Sequence, residues 1–237
     1  MRTLVLAGLL LAASVLPGCS LLDGGVGPKD YLRGDYSVWV IEIDHAEGHA
    51  PTSIATSALK DRMEELARKD TIEIRTSAVS AGRSTWSVGQ IEALSRDTKD
   101  ADTGGDTVVT HVLYLGGRFE EEGVLGIAIG HDLIAIFPEA IAAGCTPLRG
   151  CAFNEASIER AVLVHEFGHA IGLVDRGVGM VNDHEDDAHP KHSDNPNSVM
   201  YWAVETAGGI AGIDRIPTTF DTNDKLDVCR AGGEGRC

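Results

Sequence analysis

One segment constrains the fold of this 237-residue chain more than any other, the run from Glu155 to Leu173. Its apolar residues Ile158, Ala161, Val162, Val164, Phe167 and Ile171 recur at the spacing of a helix face, which predicts a helix over 155–173. Inside it stands His165-Glu166-Phe167-Gly168-His169. Side chains four apart on a helix lie one above the other, so both imidazoles reach a single point and Glu166 projects beside them. The bland reading of such a pair is a stacked histidine contact in a buried helix. The sharper one is a metal site, in which the rings supply lone pairs. There the ion lowers the pKa of a bound water, and the carboxylate accepts its proton.

The flanking residues favour the sharper reading. Gly172 allows the helix to turn towards a third ligand, and Ser198-Val199-Met200-Tyr201 follows in a loop rich in Asn and Pro. Together these residues resemble the metzincin clan of zinc metalloproteases, which share HExxHxxGxx(H/D) and a later turn carrying Met beneath the metal. By that resemblance His165 and His169 are two zinc ligands, Glu166 is the general base, Gly172 is the turn residue and Met200 the Met-turn methionine (198–201). Tyr201 is a candidate to stabilise the oxyanion. The implied fold is α+β, a zincin-like catalytic domain with a mixed, twisted five-stranded sheet, two long helices and a small C-terminal subdomain. The implied activity is hydrolysis of peptide bonds in a protein or peptide substrate, with one catalytic Zn2+. The alternative reading is an inactive metal-binding surface lipoprotein that binds a partner, but an intact Glu166 has no use in such a module.

The third ligand departs from the simple pattern. Asp175 stands three residues after Gly172, where the clan places His or Asp. Further on, His192-Ser-Asp-Asn-Pro-Asn-Ser-Val-Met200 resembles the archaemetzincin family, with about seventeen residues inserted after the helix. Ser193 and Ser198 stand where that family has cysteines. His192 is favoured, because imidazole is the commoner zinc ligand and the local match is longer; Asp175 is the alternative. The insertion is dense in acids and histidines. It reads as a solvated loop or as a calcium site over 182–194 built from Asp183, Glu185, Asp186 and Asp187, and His184 and His189 are competing zinc donors. His111, on an expected central strand, reads as a satisfied core histidine.

Upstream, Ser37 to Asp44 and Thr71 to Val79 read as strands and Ile54 to Lys69 as an amphipathic helix. Ser87 to Arg96 reads as a shorter helix and Asp97 to Asp106 as a loop. Thr107 to Leu115 is apolar enough for a central strand, and a strand pair follows at Val124 to Ile129 and Leu133 to Phe137. The first of that pair is expected along the rim of the cleft, offering a free edge to an extended substrate. The tail Thr219 to Arg230 reads as a closing helix.

Acidic residues outnumber basic ones by 36 to 20, and the net charge is −16. That argues against nucleic acid as a partner, since its binding needs clustered Lys and Arg. At the N-terminus, Arg2 precedes an apolar run from Leu4 to Leu16, too short for a permanent span. It ends in Leu16-Pro17-Gly18-Cys19, which resembles a bacterial lipobox. The expectation is a signal peptide (1–18), a lipid-bearing Cys19, a flexible tether (19–34) and a metalloprotease domain (35–237). The protein would be exported and held at a membrane of the cell envelope by its lipid anchor. The remaining Cys145, Cys151, Cys229 and Cys237 are disulfide candidates. Of three possible pairings, Cys145 with Cys151 and Cys229 with Cys237 is preferred because each closes a short loop.

Overall fold

The computed structural model describes residues 25–144 and 153–235. The expected signal segment, Cys19, Cys145, Cys151 and Cys237 lie outside the described residues, and Cys229 is disulfide-bonded. In chain order the elements are α1 (Pro28–Leu32), β1 (Val38–Ala46), α2 (Ser53–Leu66), β2 (Thr71–Val79), β3 (Thr85–Trp86) and α3 (Val88–Thr98). Then come β4 (Thr107–Tyr114), β5 (Arg118–Phe119), β6 (Gly126–Ile129), β7 (Leu133–Ile136), α4 (Pro138–Gly144) and α5 (Glu155–Ala170). The chain continues through β8 (Glu185–Asp186), β9 (His189–Ser193), α6 (Ala207–Ala211) and α7 (Thr222–Ala231).

Five strands form one mixed sheet in the order β2-β1-β4-β7-β6. β2, β1, β4 and β7 pair in parallel, and β6 returns antiparallel to β7 at the edge. Alternation along the central strands divides the core between the two faces. Val112 and Tyr114 of β4, with Ile134 and Ile136 of β7, join the cluster that includes α2 and α5. Leu113, Leu115, Leu133 and Ala135 face the opposite cluster, where Trp86, Ile91, Phe119 and Phe137 pack. Burial on both faces explains why β4 and β7 read as continuous apolar runs.

The helices start where side chains cap them. Thr52 accepts from the Ala55 amide at 3.2 Å ahead of α2, and Asn154 accepts from the Ser157 amide at 2.9 Å ahead of α5. Such caps satisfy amide groups that have no partner inside the helix. α2 (14 residues) and α5 (16 residues) share one core cluster, and Glu159 of α5 accepts from the Thr52 amide at 2.9 Å.

The structure corrects the tether expected over 19–34 in its described part. Pro28–Leu32 is helical, Tyr31 and Leu32 are buried, and the Tyr31 hydroxyl donates to the Val109 carbonyl at 3.1 Å. The segment was misread because its two core residues stand next to each other, so no apolar period announces them. α4, β3 and β5 also went unread, being too short to show a period.

Beneath the turn at 198–201, Asp224 of α7 is fully buried and accepts from the Ser198 hydroxyl and the Asp221 amide through one oxygen. Its other oxygen has no partner. Burial raises its pKa to about 6, helped by Asp221 and opposed by the Ser198 and Asp221 hydrogen bonds. A carboxyl whose pKa is higher folded than unfolded binds its proton more tightly in the folded state. Its contribution to stability is therefore complete below the unfolded carboxylate range and is lost as pH rises through about 6. Asp224→Asn keeps an acceptor for Ser198 and removes the charge. Thermal midpoints measured from pH 4.5 to 7.5 should fall less in this variant than in wild type; parallel curves would exclude the assignment.

Candidate metal centre

The buried stretch of α5 presents His165 and His169 on one side, as their spacing requires. His192 on β9 completes a group of three imidazoles whose ligand nitrogens all lie within 4.8 Å of one another. Ring centroids are 4.6 Å apart for His165 and His169, 5.3 Å for His165 and His192, and 5.0 Å for His169 and His192. His165 Nε2 and His169 Nδ1 are buried without a hydrogen-bond partner, and His192 Nε2 meets the Glu205 carboxylate at 2.9 Å. Buried polar atoms are seldom left unsatisfied, and three imidazoles gathered this closely fit a tetrahedral cation such as zinc.

The electrostatics agree. Burial pushes the His165 pKa down to about 4, with the neighbouring His192 ring next in effect. His169 is pushed well below its ordinary value, again by burial first and then by His165. Both rings are therefore neutral at pH 7, the form that donates a lone pair. His165 is also oriented, because its Nδ1 lies 2.6 Å from the Val199 carbonyl and as donor leaves Nε2 free. At His192, Nδ1 lies 3.1 Å from the Pro190 carbonyl while Nε2 stands 2.9 Å from Glu205 Oε2. With Nδ1–H donating, Nε2 and the carboxylate are two acceptors face to face, an arrangement that a shared proton or a cation satisfies.

His192 reaches the site through the hairpin of β8 and β9. Asp175 does not enter the cluster. Its carboxylate takes the Lys191 ammonium at 3.0 Å, and its carbonyl takes the same group at 3.2 Å. The alternative third ligand is thus an exposed anchor for the strand that carries His192. The proposed calcium loop is likewise corrected. Asp186 accepts from the Ala188 and His189 amides, and Glu185 accepts from the Lys191 amide. Asp183 and Asp187 are exposed, and among the described residues no metal-holding group includes any of the four. Asp186 and Glu185 hold the hairpin's own backbone. His184 pairs with Asp227 at 2.9 Å, and His189 stacks on Trp202 at 4.1 Å, so neither competes for the site.

Met200 lies directly under α5. A Cβ on Gly168 would fall 2.2 Å from the Met200 sulfur and 2.8 Å from Phe220 Cε1, so only glycine fits between the two histidines at that place. The same turn holds the third ring's strand, since the Met200 carbonyl accepts from the Ser193 amide at 2.9 Å. Tyr201 follows at intermediate exposure, its ring 5.6 Å from Trp202.

Glu166 is buried beside the imidazoles, and its Oε1 has no partner. Its pKa is raised well above the usual carboxylate range by burial first and then by Glu205, against the opposing Arg176 guanidinium and Ala128 amide. The wall opposite is β6, where a Cβ on Gly126 would come within 2.9 Å of Glu166 Cγ and 2.7 Å of Val162 Cγ1. Two residues at this site had no sequence signal, Glu205 and Arg176. Burial disfavours ionised Glu205, but contact with His192 outweighs it and the pKa ends below its ordinary value. Arg176 donates from Nη2 to the Ala128 carbonyl at 3.1 Å.

A second cluster of Glu42, Asp44 and His111 could also hold a cation by spacing. Its polar atoms are already engaged. Glu42 accepts from the Asp100 and Ala101 amides, and Asp44 accepts from Ser77. His111 bridges Ser95 at 2.8 Å and Asp44 at 3.0 Å. Burial holds His111 below its ordinary pKa despite Asp44. This is a buried hydrogen-bond network.

No family model matches the sequence, and no curated protein does. Among solved structures, the chain is similar to the archaemetzincin of Methanopyrus kandleri. The two are 15% identical with a TM-score of 0.53, and the match covers 82% of this chain and 96% of that one. At that identity the likeness is one of fold.

Two outcomes follow from this geometry. His192→Ala should lose bound zinc, measured by elemental analysis, whereas Asp175→Ala should retain it; the reverse pattern would move the ligand to Asp175. Gly168→Ala should lower stability by about 1–3 kcal/mol, the usual cost of forcing extra volume into a packed core. It should also weaken zinc binding with all three histidines intact, and an unchanged thermal midpoint would contradict the Met200 contact.

Proposed function

We propose that this chain is a zinc-dependent endopeptidase, with His165, His169 and His192 as metal ligands and Glu166 as general base. The observation that carries the reading is the convergence of three imidazoles, two of them held neutral by burial and each of those two with an unpartnered nitrogen, beside a buried carboxylate packed against the edge strand. A structural metal site would need only the ligands and would be closed by a fourth.

Zinc, when bound there, polarises a carbonyl and lowers the pKa of water. The protein's own residues do the rest. The Val199 carbonyl fixes the orientation of the His165 ring. The apolar setting of Glu166 raises its proton affinity, so it takes a proton from water and returns it to the leaving nitrogen. β6 lies at the sheet edge over Glu166, where an extended peptide adds by main-chain hydrogen bonds. Strand addition reads the backbone, which fits cleavage within a chain of tolerant sequence. The fold likeness to an archaemetzincin agrees with this reading. With it we carry forward an exported protein, lipid-anchored through Cys19 at the cell envelope, and a role for Tyr201 at the oxyanion.

Glu166→Gln tests the proposal in the soluble domain lacking residues 1–19. Zinc content should stay at the wild-type level while casein or peptide-library cleavage falls about 100- to 10,000-fold, the usual range for losing a general base. Wild-type protein without zinc, or a variant that cleaves as wild type does, would sink the reading.

A further inference from the structure

We infer that Arg176 is a catalytic residue of the proposed hydrolysis, its guanidinium donating to the oxyanion that forms on the scissile carbonyl oxygen. The inference rests on the endopeptidase reading and adds to it a residue that neither the helical motif nor the Met-turn contains.

The backbone ahead of Arg176 is bent in an unusual way. After α5, Gly172 has φ +89°, and the next positive values belong to Val174 at 49° and Asp175 at 57°. A left-handed conformation is tolerated by Asp but is an outlier for a β-branched residue. Val174 is fully buried, so packing holds it there. Such backbone strain costs about 1–3 kcal/mol per residue and persists only where the surrounding structure enforces it. The consequence is that the chain delivers Arg176 to the edge of β6.

There the guanidinium meets the same residue that faces the base. Ala128 offers its carbonyl to Arg176 Nη2 at 3.1 Å and its amide to Glu166. The cation and the base are thus docked on one residue of the edge strand, along the wall where a substrate backbone would lie. Ala128 is the one hydrogen-bond partner of Arg176 among the described residues, and no carboxylate stands within ion-pair distance of it. A guanidinium has five N–H donors, so most of them remain for a ligand.

Charge balance says which ligand. A divalent cation held by the three histidines would be neutralised by Glu166 and Glu205 when both are ionised. An anion developing there would then add uncompensated charge in a site largely shielded from water, where such interactions are strong. Arg176, docked on Ala128 beside Glu166, would restore one positive charge. In the reaction, the water oxygen bonds to the carbonyl carbon and Glu166 takes the proton released. The carbonyl π pair moves onto oxygen, which becomes the oxyanion held by Arg176. As that pair returns, the C–N bond breaks, and the proton on Glu166 passes to the departing nitrogen. A preorganised donor to the oxyanion acts mainly in the transition state.

The test uses the zinc-loaded soluble domain with Arg176→Gln and Arg176→Lys. The probe is a phosphinic peptide built on the best-cleaved library sequence, a tetrahedral anion, and its affinity is measured by calorimetry. Arg176→Gln should bind it about 10- to 100-fold more weakly and lose about 100-fold or more in kcat at unchanged KM, as expected for an oxyanion donor. Zinc content and thermal midpoint should not move, and Arg176→Lys should recover part of both losses. Wild-type phosphinate affinity in Arg176→Gln, or a rise in KM at constant kcat, would overturn the assignment while leaving the protease reading intact. Wild-type protein that neither holds zinc nor cleaves would overturn both.

Discussion

A missing side chain at Gly168 governs the geometry of the whole site. With nothing on that Cα, the Met200 sulfur packs into α5 between the two helical histidines, where a Cβ would lie 2.2 Å from it. The turn that carries Met200 then makes two further contacts. Its Val199 carbonyl holds Nδ1 of His165, and its Met200 carbonyl holds the amide of Ser193, next to His192. One four-residue turn therefore fixes the orientation of the first ring and the approach of the third. Metal affinity depends on such positioning to within a few tenths of an ångström, and here it follows from core packing rather than from ligand chemistry.

The opposite wall relies on the same device. Gly126 lets β6 approach Glu166 closely, and β6 in turn offers Ala128 to both Glu166 and Arg176. Two glycines, one on the helix and one on the edge strand, set the depth at which the carboxylate is buried. That depth is what raises its proton affinity, since burial is the largest contribution to its shift. Packing and acid–base chemistry are in this sense a single constraint.

Most of the scaffold was legible in the residues. The strands at Thr71–Val79 and Thr107–Tyr114 and the helix beginning at Glu155 start where the residues place them, β2 by its alternation, β4 by an apolar run buried on both faces and α5 by its Asn154 cap and buried stretch. α1 was not legible, since Tyr31 and Leu32 are adjacent and their burial depends on partners far along the chain. The acidic insertion misled for a related reason. A cluster of carboxylates looks alike in sequence whether it gathers around a cation or caps its own amides, and only the backbone turn at Asp186–His189 distinguishes them. Arg176 and Glu205 carry no pattern at all. Their place is set by a strained loop after α5 and by a turn beyond Met200, neither of which has a period or a spacing rule.

The same reasoning applies to Ser193 and Ser198. Both serines are buried. Ser198 donates to Asp224, its oxygen accepts the Met200 amide at 3.0 Å, and Ser193 accepts the Asn195 amide at 3.2 Å. His184 and Asp227 extend the buried polar set, with Asp227 also accepting the Val181 amide. The hydrogen bond from Ser198 to Asp224 thus ties the turn at 198–201 to α7 from below. Such a network is directional, so it specifies one position of the turn. It also contains a carboxyl that burial drives towards its neutral form, so its strength depends on protonation in a way that core packing at Gly168 does not. The turn is accordingly held by two unlike contacts: from above by shape, which pH leaves alone, and from below by charge, which it does not.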